Sequence, residues 1–238
     1  MLTEYTDGVL KYRKRLHNLN TLEVIGAVDA AINILNIPNY YRTDEVCLPI
    51  VAVAERAFAG YSKLEIVNLG DNIAYLENYA FAKCRQLREV HHNALYSPVD
   101  FMFRAFAECR SLKTVDVNIG FIGTGVFWNC VNLEELYISG MCTEIQDYAF
   151  DGCCSLSKIT CLASVHKSLE IHPMTFYGGR IEELHINRNI QYNDRNIQLS
   201  RPFEDYFHRA TKIYCPSWSN LCDLSFVGRN ISIEEVCI

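Results

Sequence analysis

The sequence lacks a long apolar run. In its 238 residues no stretch approaches the roughly 20 consecutive apolar residues that span a bilayer, and the apolar segment 50–54 ends at Glu55 and Arg56. The first residues also lack the pattern of an export signal, because Glu4 and Asp7 precede the basic residues and no apolar core follows them. The sequence therefore predicts a protein that neither inserts into a membrane nor carries an export signal.

An excess of positive charge is also lacking. Lysine and arginine number 22 against 28 aspartates and glutamates, which gives a formal net charge of -6. This balance argues against binding to nucleic acid or to an anionic membrane, since both require clustered positive charge. Hydrophobic residues make up 50% of the chain and charged residues 21%, which excludes a disordered chain. A compact chain of this length needs neither a metal nor a disulfide to fold.

Motifs typical of enzymes and metal sites are absent. No G-x-S-x-G, P-loop, H-E-x-x-H, G-x-G-x-x-G or C-x-x-C pattern occurs. His91 and His92 are adjacent on a predicted strand, so they face opposite ways and do not form a metal-binding pair; His92 takes an inward or rim position. We therefore predict no catalytic residue, no cofactor and no metal. A thiol-dependent or metal-assisted enzyme, built on a cysteine and a histidine without a local motif, remains the alternative.

An internal repeat is the most informative feature that is present. A small residue followed by phenylalanine recurs at six places: Ala57-Phe58, Ala80-Phe81, Ala105-Phe106, Val126-Phe127, Ala149-Phe150 and Thr175-Phe176. Including the degenerate Phe203, successive phenylalanines are 23, 25, 21, 23, 26 and 27 residues apart. Other positions repeat with them. Cysteine stands three residues later in four units, leucine six later, and valine, leucine or isoleucine nine later. The consensus is I-x-x-x-A-F-x-x-C-x-x-L-x-x-V-x-L.

Each part of the consensus predicts a local structure. The segment L-x-x-V-x-L alternates apolar and other residues and predicts a short strand with one buried face. The segment A-F-x-x-C-x-x-L has apolar residues three apart, which favours a 3₁₀ or helical turn. A single unit cannot bury its own apolar side, whereas stacked units can. The repeat therefore predicts a right-handed solenoid with a parallel strand ladder on one face.

This repeat resembles the BspA-type (Treponema pallidum-like) leucine-rich repeat. The match covers residues 46–186 and continues more weakly to about Pro216. The resemblance implies a leucine-rich-repeat horseshoe or gently curved solenoid, with the parallel strands on its concave face and short 3₁₀ or helical turns opposite. It also implies a role in binding or scaffolding, which in some bacterial members is adhesion of the cell surface to host proteins.

The ends of the chain depart from the repeat, as the ends of a solenoid are expected to do. We predict one leucine-rich-repeat domain over residues 1–238, with an N-terminal β-hairpin cap in 1–45, regular repeats in 46–187 and a degenerate repeat with an inserted loop and C-terminal cap in 188–238. In the cap, residues 8–12 and 21–26 are the two predicted strands, and residues 32–37 resemble a truncated first repeat. Residues 188–201 are the predicted inserted loop. Residues 213–216 are a predicted last strand, and residues 217–238 supply apolar cover.

The cysteines that recur in the repeat predict a column of buried thiols. Eleven cysteines, an odd number, leave at least one unpaired in a monomer. Cys84, Cys109, Cys130 and Cys153 fit the repeat, and one thiol per coil does not form a tetrahedral metal site. We predict reduced core cysteines, with Cys154 pointing elsewhere as the more reactive thiol. Reduced cysteines and the missing export signal favour a cytoplasmic protein, with the cell surface or secretion as the alternative.

The outward side of the strand ladder is the predicted binding surface. Its side chains form an acidic face with exposed aromatic rings, a composition suited to a protein partner. The residues predicted to bind are Asn68, Glu89, His91, Asp116, Glu135, Tyr137, Lys158, Glu183, His185 and Tyr214. We expect non-catalytic protein–protein binding or scaffolding through this face. The alternative within the family is an exported cell-surface adhesin that binds a host or cell-surface protein.

Overall fold

The structure is a computed structural model. It describes residues 4–94, 97–162, 169–172, 174–178, 183–186, 190–192, 212–215 and 232–235. Within these residues the strands are β1 (Glu4–Thr6), β2 (Leu10–Arg15), β3 (Asn18–Ala27), β4 (Ile34–Asn36), β5 (Tyr40–Arg42), β6 (Cys47–Val53), β7 (Ile66–Leu69), β8 (Tyr75–Leu76), β9 (Glu89–His92), β10 (Val99–Phe101), β11 (Thr114–Asp116), β12 (Ile119–Ile122), β13 (Glu135–Ile138), β14 (Glu144–Ile145), β15 (Lys158–Cys161), β16 (Leu169–Ile171), β17 (Glu183–Ile186), β18 (Ile190–Tyr192), β19 (Lys212–Cys215) and β20 (Ser232–Glu235). No helix among the described residues has the length and apolar character needed to cross a membrane.

The chain begins with the predicted antiparallel hairpin. Strand β2 pairs with β3 and, on its other side, with β1. Tyr12 and Val24 are paired and fully buried, because alternate residues of each strand face the core. Strand β3 then pairs in parallel with β6, with Leu22 opposite Ile50. The hairpin therefore covers the first coil of the stack, as a cap is expected to do.

The L-x-x-V-x-L segments form a parallel ladder, here called the first ladder. Its strands run in the order β4, β7, β9, β11 and then β13, β15, β17, β19, β20. Val67, Val90 and Val115 pair in register and are buried. The predicted ladder is thus confirmed. Strand β4, which lies within the segment 32–37 that resembles a truncated repeat, pairs with β7 and begins this ladder.

A second parallel ladder, which the sequence analysis did not predict, joins the residues five positions before each phenylalanine. Strands β6, β8, β10, β12, β14, β16 and β18 pair in that order. Leu76 pairs with Phe101, Phe101 with Ile122, and Ile122 with Ile145, and all four are buried. Each coil therefore contributes two short strands, and the core lies between the two ladders.

The A-F segments differ from the expected 3₁₀ or helical turns. Around Phe81, the amides of Tyr79, Phe81 and Lys83 donate to carbonyls of the next coil, whereas those of Ala80 and Ala82 donate three residues back. Tyr79 and Lys83 also have positive φ angles of 58° and 63°, which a 3₁₀-helix does not contain. No helix occurs in the part of the chain that the structure describes. Inter-coil hydrogen bonding replaces helical bonding here, and we call these stacked segments the turn ladder.

The phenylalanines and cysteines of the turn ladder form two internal columns. The rings of Phe58, Phe81, Phe106, Phe127, Phe150 and Phe176 stack successively. Each buried ring contributes about 1.5–3 kcal/mol by removal of apolar surface from water. Each ladder thiol donates to a phenylalanine carbonyl of the preceding coil, at 3.0 Å for Cys84, 3.1 Å for Cys109, 3.2 Å for Cys130 and 3.0 Å for Cys153.

The C-terminal part contains more repeat strands than predicted. Residues 190–192, placed in the predicted inserted loop, form β18 and pair with β16. Residues 232–235, expected only to supply apolar cover, form β20 and extend the first ladder beyond β19. The last strand was predicted at residues 213–216, whereas β19 spans Lys212–Cys215 and is followed by another strand. The rest of the predicted loop and cover, at residues 188–189, 193–201, 217–231 and 236–238, lies outside the described residues.

Candidate functional site

The ten residues predicted to bind a partner all lie on strands of the first ladder. Asn68, His91 and Asp116 occupy paired positions on β7, β9 and β11, and Glu89 precedes His91 by two residues on the same face. The other six lie in two further rows, Glu135, Lys158 and Glu183 in one and Tyr137, His185 and Tyr214 in the other. For His185 and Tyr214 the structure describes the backbone pairing only. The binding role of these residues stays a prediction.

Side chains along these rows contact one another. The Asn68 amide nitrogen donates to Oδ1 of Asn36 at 2.7 Å. Within a strand, His91 Nε2 lies 3.1 Å from Glu89 Oε2, and the Tyr137 hydroxyl donates to Glu135 Oε2 at 3.3 Å. Residues two apart on a strand share a face, which explains both contacts. These contacts restrict side-chain motion on this face.

The first ladder is interrupted in its middle. In the described part of the chain, β11 and β13 are not paired, so the ladder consists of a four-stranded and a five-stranded sheet. The interruption coincides with the shortest unit, of 21 residues between Phe106 and Phe127. In this unit, the first-ladder position at Val117 and the second-ladder position at Ile122 are five residues apart. The equivalent positions Leu69 and Leu76 are seven residues apart. Because this connection is short, β12 begins soon after β11 ends, and β11 has only three residues.

A groove of about 380 Å³ lies at this interruption. Asp116 and Glu135 contribute two carboxylates to its lining, and Lys113 contributes one cation. Tyr137, whose side chain is 54% exposed, lines the same groove. The arrangement suits a cationic or hydrogen-bond-donating side chain of a partner, with the tyrosine ring available for apolar contact.

Sequence reasoning missed the ends of these rows. Ile34 and Asn36 precede Ile66 and Asn68 in register, and at the other end Ser232 and Glu234 follow Lys212 and Tyr214. The N-terminal extension was detectable, because residues 32–37 match the repeat. The C-terminal one had only the alternation around Ile233 as a signal.

His92 occupies the inward ladder position, as predicted. It pairs with Leu69 and is buried, and neither ring nitrogen has a hydrogen-bond partner among the described residues. Burial lowers the pKa of His92, because the charged imidazolium loses its hydration, and the nearby Asp71 opposes this only in part. Burial therefore favours the neutral form of His92.

The repeat cysteines and Cys154 differ in exposure, as predicted. The four ladder cysteines are buried free thiols, whereas Cys154 is an exposed free thiol. Burial raises the pKa of Cys84 to about 12, and it raises the pKa values of Cys109, Cys130 and Cys153 as well. Among the residues that the structure places, no group of three or more His, Cys, Asp or Glu side chains is positioned to hold a metal ion.

Each repeat contributes one strand to the first parallel ladder, the phenylalanines of successive repeats stack, and a hairpin caps the first coil. Together these features define a leucine-rich-repeat solenoid. The model of the BspA type leucine rich repeat region matches residues 51–178 and 100–198, in six copies. The chain belongs to this family.

Solved structures of leucine-rich-repeat proteins share the fold. A leucine rich cell surface protein from Faecalibacterium prausnitzii is 22% identical with a TM-score of 0.66, over 81% of this chain and 50% of that one. The chain thus spans about half the length of that protein. The leucine rich repeat protein of T. pallidum is also 22% identical, with a TM-score of 0.65, over 80% of this chain and 86% of that one. A comparison with curated proteins gave no match.

Proposed function

We propose that the protein binds another protein, without catalysis, through the exposed face of the first ladder, centred on the groove between β11 and β13. The observation that carries this proposal is the groove itself, in which Asp116, Glu135 and the exposed Tyr137 meet at the interruption of the ladder. Elsewhere on the first ladder, neighbouring strands are paired, and the surface has the regular spacing of a sheet. Repeat solenoids commonly bind along such extended faces.

The chemistry of the groove indicates the kind of partner. Two carboxylates favour a lysine or arginine of the partner, and Tyr137 supplies a rigid amphipathic ring of the type enriched at interface centres. Glu89 adds negative charge on the same face, and its carboxylate already lies beside His91. We expect a partner surface that presents a basic residue beside an apolar one.

The experiment that tests this proposal compares two double variants. The first, Glu135→Lys with Tyr137→Ala, reverses a charge of the groove and removes its ring. The matched control, Glu45→Lys with Tyr40→Ala, makes the same changes at exposed residues near β5. Partner capture from the source cell should be lost in the first variant and kept in the control, with nearly unchanged melting temperatures. Capture that survives in the first variant would assign binding to another surface.

A second candidate is an exported adhesin. It is favoured by the fold shared with a leucine rich cell surface protein of Faecalibacterium prausnitzii. Thiol titration of the denatured protein, purified from its source cell, separates the two candidates. A count close to the 11 cysteines of the sequence fits a reducing compartment, whereas a count near one fits export.

A further inference from the structure

A second groove, of about 410 Å³, crosses the turn ladder on a different side from the strand face. Three alanines at the same repeat position, one from each of three successive coils, line it: Ala59, Ala82 and Ala107. Gly60 lines the groove as well. The other lining residues are larger and flank these small ones: Arg56, Tyr79, Lys83, Arg104, Glu108 and Trp128. The repeat therefore builds an elongated groove with small residues along its length.

The groove is basic although the whole chain has a net charge of -6. Glu108 is its one lining carboxylate, and cations surround it: Lys83 Nζ at 3.8 Å, Arg85 Nη2 at 3.9 Å and Arg110 Nη2 at 3.8 Å. Arg56 and Lys83 have side chains that are 64% and 63% exposed, and Arg56 pairs only at 3.7 Å with the exposed Glu55. The cationic groups thus exceed the carboxylates that could neutralise them, and two of them are open to a ligand.

Aromatic rings hold two of the guanidinium groups in place. The Arg56 guanidinium lies 4.9 Å from the centroid of the Tyr79 ring, and the Arg104 guanidinium lies 4.8 Å from the centroid of Trp128. Both distances fall within the roughly 6 Å of a cation–π contact. A guanidinium stacked on a ring keeps its N–H groups at the edge, where they can form paired hydrogen bonds with carboxylate or sulfate oxygens. The groove therefore presents cations in fixed positions on successive coils.

The backbone of the groove offers no free donor. In the three turns at residues 56–60, 79–83 and 104–108, every backbone N–H donates a hydrogen bond within the protein. A ligand must therefore be bound through side chains alone. This disfavours an extended peptide, because peptides bound in this way rely on main-chain hydrogen bonds.

We infer that this groove binds an anionic polysaccharide through its sulfate or carboxylate groups. Arg56, Lys83 and Arg104 contact the anionic groups, and the alanines with Trp128 pack against the sugar rings. Charge complementarity carries the assignment, and the satisfied backbone favours a sugar chain over a peptide. The groove is separate from the strand face. Saccharide binding can therefore be disproved while the proposed protein binding holds, and protein binding can be disproved while saccharide binding holds.

Binding is tested by calorimetry on the full chain with four probes. A heparin octasaccharide carries sulfate and carboxylate, an oligogalacturonate carries carboxylate alone, a neutral dextran oligomer carries neither, and a poly-glutamate peptide carries carboxylates on a peptide chain. We expect binding of one or both anionic saccharides, no binding of dextran, and weaker binding of poly-glutamate. Comparing the first two probes identifies which anionic group is recognised.

Variants assign the binding to the groove. Arg56→Glu with Lys83→Glu should weaken saccharide binding by about tenfold or more, because two charge-assisted contacts are reversed. The control, Lys11→Glu with Lys63→Glu, makes the same charge change at exposed residues outside the groove and should leave the affinity within about twofold. Glu108→Gln should tighten binding, since it removes the carboxylate beside three cations.

Three results would overturn the inference. The first is no binding of either anionic saccharide. The second is equal weakening by the groove and control variants, which would indicate unspecific attraction. The third is poly-glutamate binding as tight as saccharide binding, which would assign the groove to an acidic peptide.

Discussion

The rings of Phe81 and Phe106 stack with their planes 6° apart and their centroids 5.5 Å apart. These residues are 25 positions apart in the chain, whereas Phe106 and Phe127, which are 21 apart, stack at 5.9 Å and 5°. Units of different length therefore place equivalent rings on one column. The variation in length is absorbed outside the column, above all in the connections between the two strand ladders.

Removing one ring of this column should destabilise the protein strongly. Phe106→Ala leaves a cavity between two stacked rings, so the free energy of unfolding should fall by about 3–5 kcal/mol. Phe103→Ala, three residues earlier and partly exposed, should cost about 1 kcal/mol or less. Urea unfolding of both variants measures the difference, and equal losses would mean that the column does not stabilise the stack.

The thiols should react in two groups. Thiolate is the reactive form of cysteine, and burial raises the pKa of Cys84, Cys109, Cys130 and Cys153. Under native conditions at pH 8, iodoacetamide should modify Cys154 and the exposed Cys47 and leave these four unmodified. Mass spectrometry of the peptides locates the label. Modification of Cys130 at the rate of Cys154 would show that the coils are not closely stacked.

His92 should make stability depend on pH. Its pKa is lowered by burial below the ordinary value of 6.5, so below that pH the unfolded chain takes up a proton that the folded chain does not. The free energy of unfolding should therefore fall as the pH is lowered from 7 to 5. His92→Leu places at this position the residue found at Leu69, and it should reduce the pH dependence and add about 1 kcal/mol at pH 7. An unchanged pH profile in the variant would contradict this account.

Two glycines of the turn ladder provide a matched pair. Gly60 and Gly152 occupy the same repeat position, with φ angles of 77° and 75°. A Cβ at Gly60 would meet nothing within 4 Å, whereas one at Gly152 would lie 2.2 Å from Asn129 Oδ1. Gly60→Ala should therefore cost about 1 kcal/mol from backbone strain alone, and Gly152→Ala should cost more. Thermal unfolding compares them, and the opposite order would contradict the described packing.

The first ladder and the two internal columns could be predicted because their residues recur at fixed positions of the repeat. Val67, Val90 and Val115 recur at one position of the unit, as do the ladder cysteines, and equivalence follows from spacing alone. The outward rows follow in turn, because strand residues two apart share a face. The hairpin cap was detectable from the alternation in β2 and β3.

The second ladder and the turn ladder could not be predicted from the same pattern. Strand β8 has two residues and β14 also has two, which is too short for alternation to be visible. In the turn ladder, Arg56, Tyr79 and Arg104 adopt positive φ angles without being glycine, so the residue types at these three positions did not indicate that geometry. The groove between β11 and β13 had a signal in the 21-residue unit, but its effect on strand pairing depends on the three-dimensional connection.

The binding face can be tested directly by photo-crosslinking. A benzoylphenylalanine placed at Tyr137, in the groove, should crosslink to the partner, whereas the same residue placed at the exposed Tyr40 should not. Both positions already carry an aromatic ring, so neither substitution should disturb folding. Crosslinking from position 137 alone would support binding through the first ladder. Crosslinking from position 40 and none from position 137 would contradict it.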